Sequence, residues 1–106
     1  MTGGRFIEPK ELESLMPNVQ KGECLLLDVR STTEFRSGHI RHALSMPVEE
    51  IGKRSNELGN EKILVIYCRS GKRSLRALSL LNEIGHGDIL ILEGGLERWS
   101  GDLVTE

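Results

Sequence analysis

Three short apolar runs constrain this chain more than any other feature. "CLLLDV" at 24–29, "KILVIY" at 62–67 and "ILIL" at 89–92 are continuous rather than alternating. Each is too short for a helix, and a strand that is apolar on both sides must be covered on both faces. The stretches between them have helical period. Over Lys72–Ile84, the residues Ala77, Leu78, Leu81 and Ile84 share one face, and Gly85 stands where a helix commonly ends. "EPKELESLM" reads as a first helix with Pro9 in its first turn, a stripe of Leu12, Leu15 and Met16, and a stop at Pro17. "TTEFRSG" reads as one or two turns stopped by Gly38, and "ALSM" as a short strand. "PVEEIGKRSNEL" reads as a helix opening at Pro47, and "GLERWS" as a last turn. Apolar strands alternating with helices predict an α/β sandwich, a mostly parallel sheet between two helical layers.

With 106 residues the chain is read as one domain, 1–106, without repeat or linker. Its core must be aliphatic, because it holds two Phe, one Tyr and one Trp. A net charge of −2 gives no general attraction to nucleic acid or to anionic membranes. "MTGGRFIEPK" lacks the apolar core of a signal peptide, and no run nears the ~18 apolar residues of a membrane span. The expected location is the cytoplasm, where thiols stay reduced. Cys24 and Cys68 are far apart and form no CxxC pair, so neither a disulfide framework nor a zinc site is expected. His39 and His42 lack further ligands at sensible spacing, so no metal and no cofactor is expected.

The stretch "YCRSGKRS" at 67–74 sets a cysteine among three cations between a strand and a helix. In open α/β sheets ligands sit beyond the carboxyl ends of the strands, and Cys68 directly follows one. At the helix N-terminus the first amides have no intrahelical partner and form a nest for anions. The helix dipole adds about half a positive charge, and Arg69, Lys72 and Arg73 add full ones. Gly71 lets the backbone turn without a Cβ clash. Such a field favours the thiolate, which is the nucleophile, and draws in an anionic substrate. A lone cysteine is commonly a small apolar filler at a strand end, but here glycine, cations and junction coincide. A nucleotide-binding P-loop is excluded, because Ile66 and Arg73 stand where it needs Gly and Ser or Thr. A cysteine-dependent phosphatase loop has five residues between cysteine and arginine; four separate Cys68 from Arg73.

At this point the chain resembles the rhodanese-like domain family of sulfurtransferases. "LLLDVRSTTEFRSGHIRHALSMP" resembles the family's early segment, "YCRSGKRS" its six-residue active loop, and "LEGGLERW" its closing segment. The resemblance implies a three-layer α/β/α fold with about five central strands. It implies a sulfurtransferase in which Cys68 takes a sulfane sulfur from a small anionic donor such as thiosulfate, becomes a persulfide and passes the sulfur to cyanide or a thiol. The amides of residues 69–73 would cradle the sulfur, Arg69 and Arg73 would bind the donor, and Lys72 would set the field. Ser70 and Ser74 would donate hydrogen bonds, or Ser74 would satisfy a helix-end amide. Asp28, paired with a nearby cation, and His39 would support the fold beneath the loop. Two departures stand out: His42 replaces the usual Gly before Ala43, and "SGDLVTE" replaces the usual ending after Trp99.

Other readings stay open. The chain could be a non-catalytic or sulfur-carrier module that docks onto a partner protein in a sulfur relay. A phosphatase or arsenate reductase is a minor alternative, because the pocket of the shorter loop is small for a tetrahedral oxyanion. Cys24 reads as core, Trp99 as an anchor for the last turn, and Glu34 and Arg30 as a surface pair or part of the support network.

Overall fold

The computed structural model describes residues 4–58, 63–85 and 88–105. In chain order they form β1 (Arg5–Ile7), α1 (Pro9–Gln20), β2 (Cys24–Asp28), α2 (Thr32–Ser37), β3 (His39–Ile40), β4 (Leu44–Ser45), α3 (Ile51–Arg54), β5 (Ile63–Tyr67), α4 (Lys72–Ile84), β6 (Asp88–Leu92) and β7 (Leu103–Val104). Short 3-10 turns occupy Val48–Glu50, Ser55–Glu57 and Gly95–Arg98. The predicted Lys62, at the head of the β5 run, lies outside the described residues.

Five strands form a parallel sheet in the order β1-β6-β5-β2-β4, and β3 pairs antiparallel with β7 beside it. Side chains alternate across β5. Leu64, Ile66 and then Cys68 join Ala77 and Leu81 of α4 and Ile51 of α3. Val65 and Tyr67 join Leu12 and Val19 of α1 on the opposite face. Two filled faces are the reason the strand runs are apolar throughout. Each aliphatic side chain removed from water contributes about 1.5–3 kcal/mol.

Two expectations change, and three short strands are added. The first helix does not stop at Pro17 but runs on to Gln20. Proline removes one helical bond at about 3 kcal/mol, yet continuing carries Val19 onto the core beside Leu12, and Lys21 N–H closes on Pro17 O at 3.1 Å. The helix expected from Pro47 is broken into 3-10, α3 and 3-10 segments. Among its buried residues, Val48 and Ile51 are three apart, the spacing of the tighter turn. Finally, β1, β3 and β7 are two or three residues long, too short to show a period in sequence, and β1 supplies the fifth strand.

Candidate active site

β5 delivers Cys68 at its carboxyl end, and the chain turns at once into α4. Strand alternation aims Cys68 at the α4 face. Gly71 precedes the helix with φ 109°, a conformation that a Cβ would strain, and donates its N–H to Cys68 Sγ at 3.0 Å. Among the described residues no other amide bonds the sulfur, and the first-turn amides of Lys72, Arg73 and Ser74 have no partner within the helix.

The loop is shaped from outside by Gly94–Glu97. Leu96 N–H bonds Cys68 O at 2.8 Å, and Glu97 N–H bonds Arg69 O at 3.0 Å. In a trans peptide the carbonyl and the following N–H point opposite ways, so these bonds aim the amides of Arg69 and Ser70 away from that turn. Gly95, at φ 64°, lies so close that a Cβ would sit 2.5 Å from Cys68 O and 2.6 Å from Arg69 O. No side chain fits there.

As a residue Cys68 is 1% exposed, at the floor of its loop. The three cations also differ from one another. Arg69 projects outward with its side chain 71% exposed, and its Nε lies 3.5 Å from Glu97. Lys72 is exposed and, among the described residues, has no ion pair. Arg73 is engaged: Nη1 and Nη2 reach the two Glu34 carboxylate oxygens at 2.7 and 3.0 Å. Glu34 also completes a capping box on α2, accepting from Ser31 N–H at 3.0 Å while Ser31 Oγ caps Glu34 N–H. The hydrogen bonds from Arg73, then those from Ser31, outweigh burial and hold the Glu34 carboxyl at a pKa of about 2. The same pair raises Arg73. Ser70 is exposed, whereas Ser74 is fully buried and its Oγ has no hydrogen-bond partner among the described residues.

Beneath the loop, Asp28 is fully buried and bonds Arg30, itself 6% exposed, through Nε at 2.9 Å and Nη2 at 2.6 Å. Arg30 Nη2 also reaches Gly38 O at 2.6 Å, and its guanidinium lies 5.9 Å over the Tyr67 ring. Burial pulls Arg30 down, but its hydrogen bond with Asp28 and the Asp28 charge leave it raised. Arg30 thus pairs with Asp28 rather than with Glu34. The Tyr67 hydroxyl accepts from Ile40 N–H at 3.0 Å, and burial followed by the Asp28 charge pushes its pKa far up. His39 is buried, stacks on Phe35 with centroids 3.6 Å apart, and donates Nδ1–H to Phe35 O at 2.8 Å.

Cys24 stands at the other end of the sheet. It pairs with Ile63, five residues before Cys68, which at about 3.3 Å per residue separates the two cysteines by roughly 16 Å. Burial and then Glu23 raise its thiol. Beside the loop opens a cleft of about 480 Å³, with Arg30, Arg69, Leu96, Glu97 and Leu103 on its walls. Among the described residues no three His, Cys, Asp or Glu gather as a metal site. The sequence reading set Glu34 with Arg30, as a surface pair or in the support network, and gave the Gly95–Glu97 amides no role; Glu34 instead pairs with Arg73. "STTE" is a legible capping box and "GG" a legible turn, but their contacts with the loop are tertiary.

A parallel α/β sheet with a cysteine loop between a central strand and a helix N-terminus defines the class of domain. The chain belongs to the rhodanese-like domain family, whose model matches residues 8–102. It is 40% identical over 78 residues to a sulfurtransferase of Allochromatium vinosum, covering 74% of this chain and 73% of that protein. It is 33% identical over 91 residues to YrkF of Bacillus subtilis, which is named for sulfur carriage; the match covers 85% of this chain and 49% of that one. The crystal structure of a rhodanese-like domain protein from Staphylococcus aureus superposes with a TM-score of 0.82 at 28% identity, covering 96% of this chain and 98% of that one.

Proposed function

We propose that the chain is a thiosulfate-type sulfurtransferase with Cys68 as its sulfur carrier. The observation that carries this reading is the Gly71 amide 3.0 Å from Cys68 Sγ, at the head of α4 and in a loop held open from outside by the Leu96 and Glu97 amides. The Cys68 thiolate attacks the outer sulfur of thiosulfate, the S–S bond breaks, and sulfite leaves with its electron pair. The loop amides stabilise charge on the persulfide as they did on the thiolate, so one preorganised nest serves both half-reactions. Arg69, exposed at the cleft, binds the donor's sulfonate end, and Lys72 adds to the field. Arg73, already bonded to Glu34, holds the loop in place rather than binding donor. Cyanide or a thiol then removes the outer sulfur. A chain whose thiols work singly suits a reducing compartment such as the cytoplasm.

Similarity to YrkF, about half of which the chain spans, favours one second reading: a carrier module that loads sulfur and hands it to a partner protein. Mass spectrometry after thiosulfate treatment separates the outcomes. We expect one added sulfur on Cys68, none on Cys68→Ser, and thiocyanate formed over many turnovers when cyanide is supplied. Loading without turnover identifies the carrier; a folded protein that never loads overturns both.

A further inference from the structure

Ser74 is fully buried, and its Oγ has no hydrogen-bond partner among the described residues. A hydroxyl buried in this way costs stability, and alanine would remove that cost and favour the helix as well. Packing alone therefore gives no reason for serine here, but its position does. With Ala77 and Leu81 it forms the buried stripe of α4, and those two pack with Cys68 in one cluster. Ser74 is also the third residue of α4 after the Gly71 cap, and helix side chains lean toward the N-terminus. A side chain at that place can accept from the cap residue's N–H. Glu11 does so from Glu8 in α1, and Glu34 does so from Ser31 in α2. In α4 the Gly71 N–H goes instead to Cys68 Sγ at 3.0 Å, and the Ser74 hydroxyl is left over. Sulfur and hydroxyl thus converge on one amide.

We infer that Ser74 Oγ–H is a second donor to Cys68 Sγ, engaged when that sulfur is charged and released when the charge moves outward. The inference rests on the persulfide reading above and adds a direction to it. Loading forms a bond from Sγ to the outer sulfur of thiosulfate, and sulfite leaves with the electron pair of the broken S–S bond. The single negative charge moves from Sγ to the added sulfur. Discharge breaks the bond between the two sulfurs and returns its electron pair to Sγ. The proton stays on Ser74 Oγ throughout, and no oxidant or reductant is consumed. A hydroxyl bonded to Sγ therefore favours the empty thiolate over the persulfide. It also makes Sγ the better leaving atom when an acceptor attacks the added sulfur.

The test brings wild type, Ser74→Ala and Ser74→Thr to equilibrium with a fixed ratio of thiosulfate to sulfite. A pH of about 9.5, above the ordinary thiol range, keeps protonation of the sulfur out of the comparison. Mass spectrometry of the intact protein reads the ratio of loaded to empty chains. Ser74→Ala should raise that ratio about tenfold, the weight of one hydrogen bond to a charged atom. It should slow single-turnover discharge to cyanide by about the same factor. Ser74→Thr keeps the hydroxyl and should hold the ratio within twofold of wild type, even where its added methyl lowers stability. In a Cys68→Ala background no sulfur is left to bond, so Ser74→Ala should not lower the denaturant midpoint. An unchanged ratio in Ser74→Ala overturns the inference, and so does a Ser74→Thr ratio as high as that of Ser74→Ala. A ratio that falls in Ser74→Ala overturns it by placing the hydroxyl on the added sulfur. A midpoint that drops in the Cys68→Ala background overturns it by giving the hydroxyl a structural partner. A folded wild type that takes no sulfur overturns the persulfide reading itself, and this is seen before any variant is compared.

Discussion

At the scale of single residues, His42 carries a strain that its sequence context foreshadows. It is the one non-glycine among the described residues with positive φ, at 71°, in the turn between β3 and β4. The resemblance places glycine there, and the backbone keeps the turn with histidine in its place. A left-handed L-residue costs about 1–2 kcal/mol, partly offset because glycine loses more entropy on folding. His42 is exposed, so its side chain contributes little packing. His42→Gly should therefore stabilise the protein by about 0.5–1 kcal/mol, read as a higher denaturant midpoint with unchanged slope. Gly95 is the opposite case, since the carbonyls of Cys68 and Arg69 leave no room for a Cβ.

At the scale of elements, the contact that matters most is α2 to α4 through Glu34 and Arg73. A carboxylate fixed by its own capping box reaches across 39 residues to the first turn of the helix that carries the loop. Its pKa of about 2 lies below the ordinary 4.5. The carboxylate's stabilisation is therefore complete above about pH 4.5 and is lost as pH falls toward 2. The side chains are 32% and 40% exposed, so solvent screening holds the contribution to about 1 kcal/mol. Glu34→Gln should lower unfolding free energy by that amount at pH 7, and the gap to wild type should close in melts taken between pH 4.5 and 2. Equal gaps at pH 7 and pH 2.5 would contradict a carboxylate-specific clamp.

At the scale of the whole molecule, the parallel sheet sorts its cysteines to opposite ends. Each strand's carboxyl end faces the loop, and Cys24 begins β2 whereas Cys68 follows β5. Cys24→Ala should cost about 1–2 kcal/mol through its buried volume and leave persulfide loading and single-turnover discharge within twofold of wild type. A large loss of discharge in that variant, with loading intact, would mean that the second thiol takes part.

The order of the major elements, their layering and the position of the cysteine loop between β5 and α4 were legible in the sequence. All three depend on local pattern: runs apolar on both sides, a 3.6-residue period over Lys72–Ile84, and a glycine-marked junction at 68–74. What the sequence could not reveal were pairings between distant residues with no periodic signature. The strand partners of Arg5–Ile7 and Leu103–Val104, the capture of Arg73 by Glu34 and the bracing of the loop by Leu96 and Glu97 arise only once the chain is folded. The burial of Cys68 belongs with them, because exposure depends on what the rest of the molecule stacks around a residue and not on its neighbours along the chain.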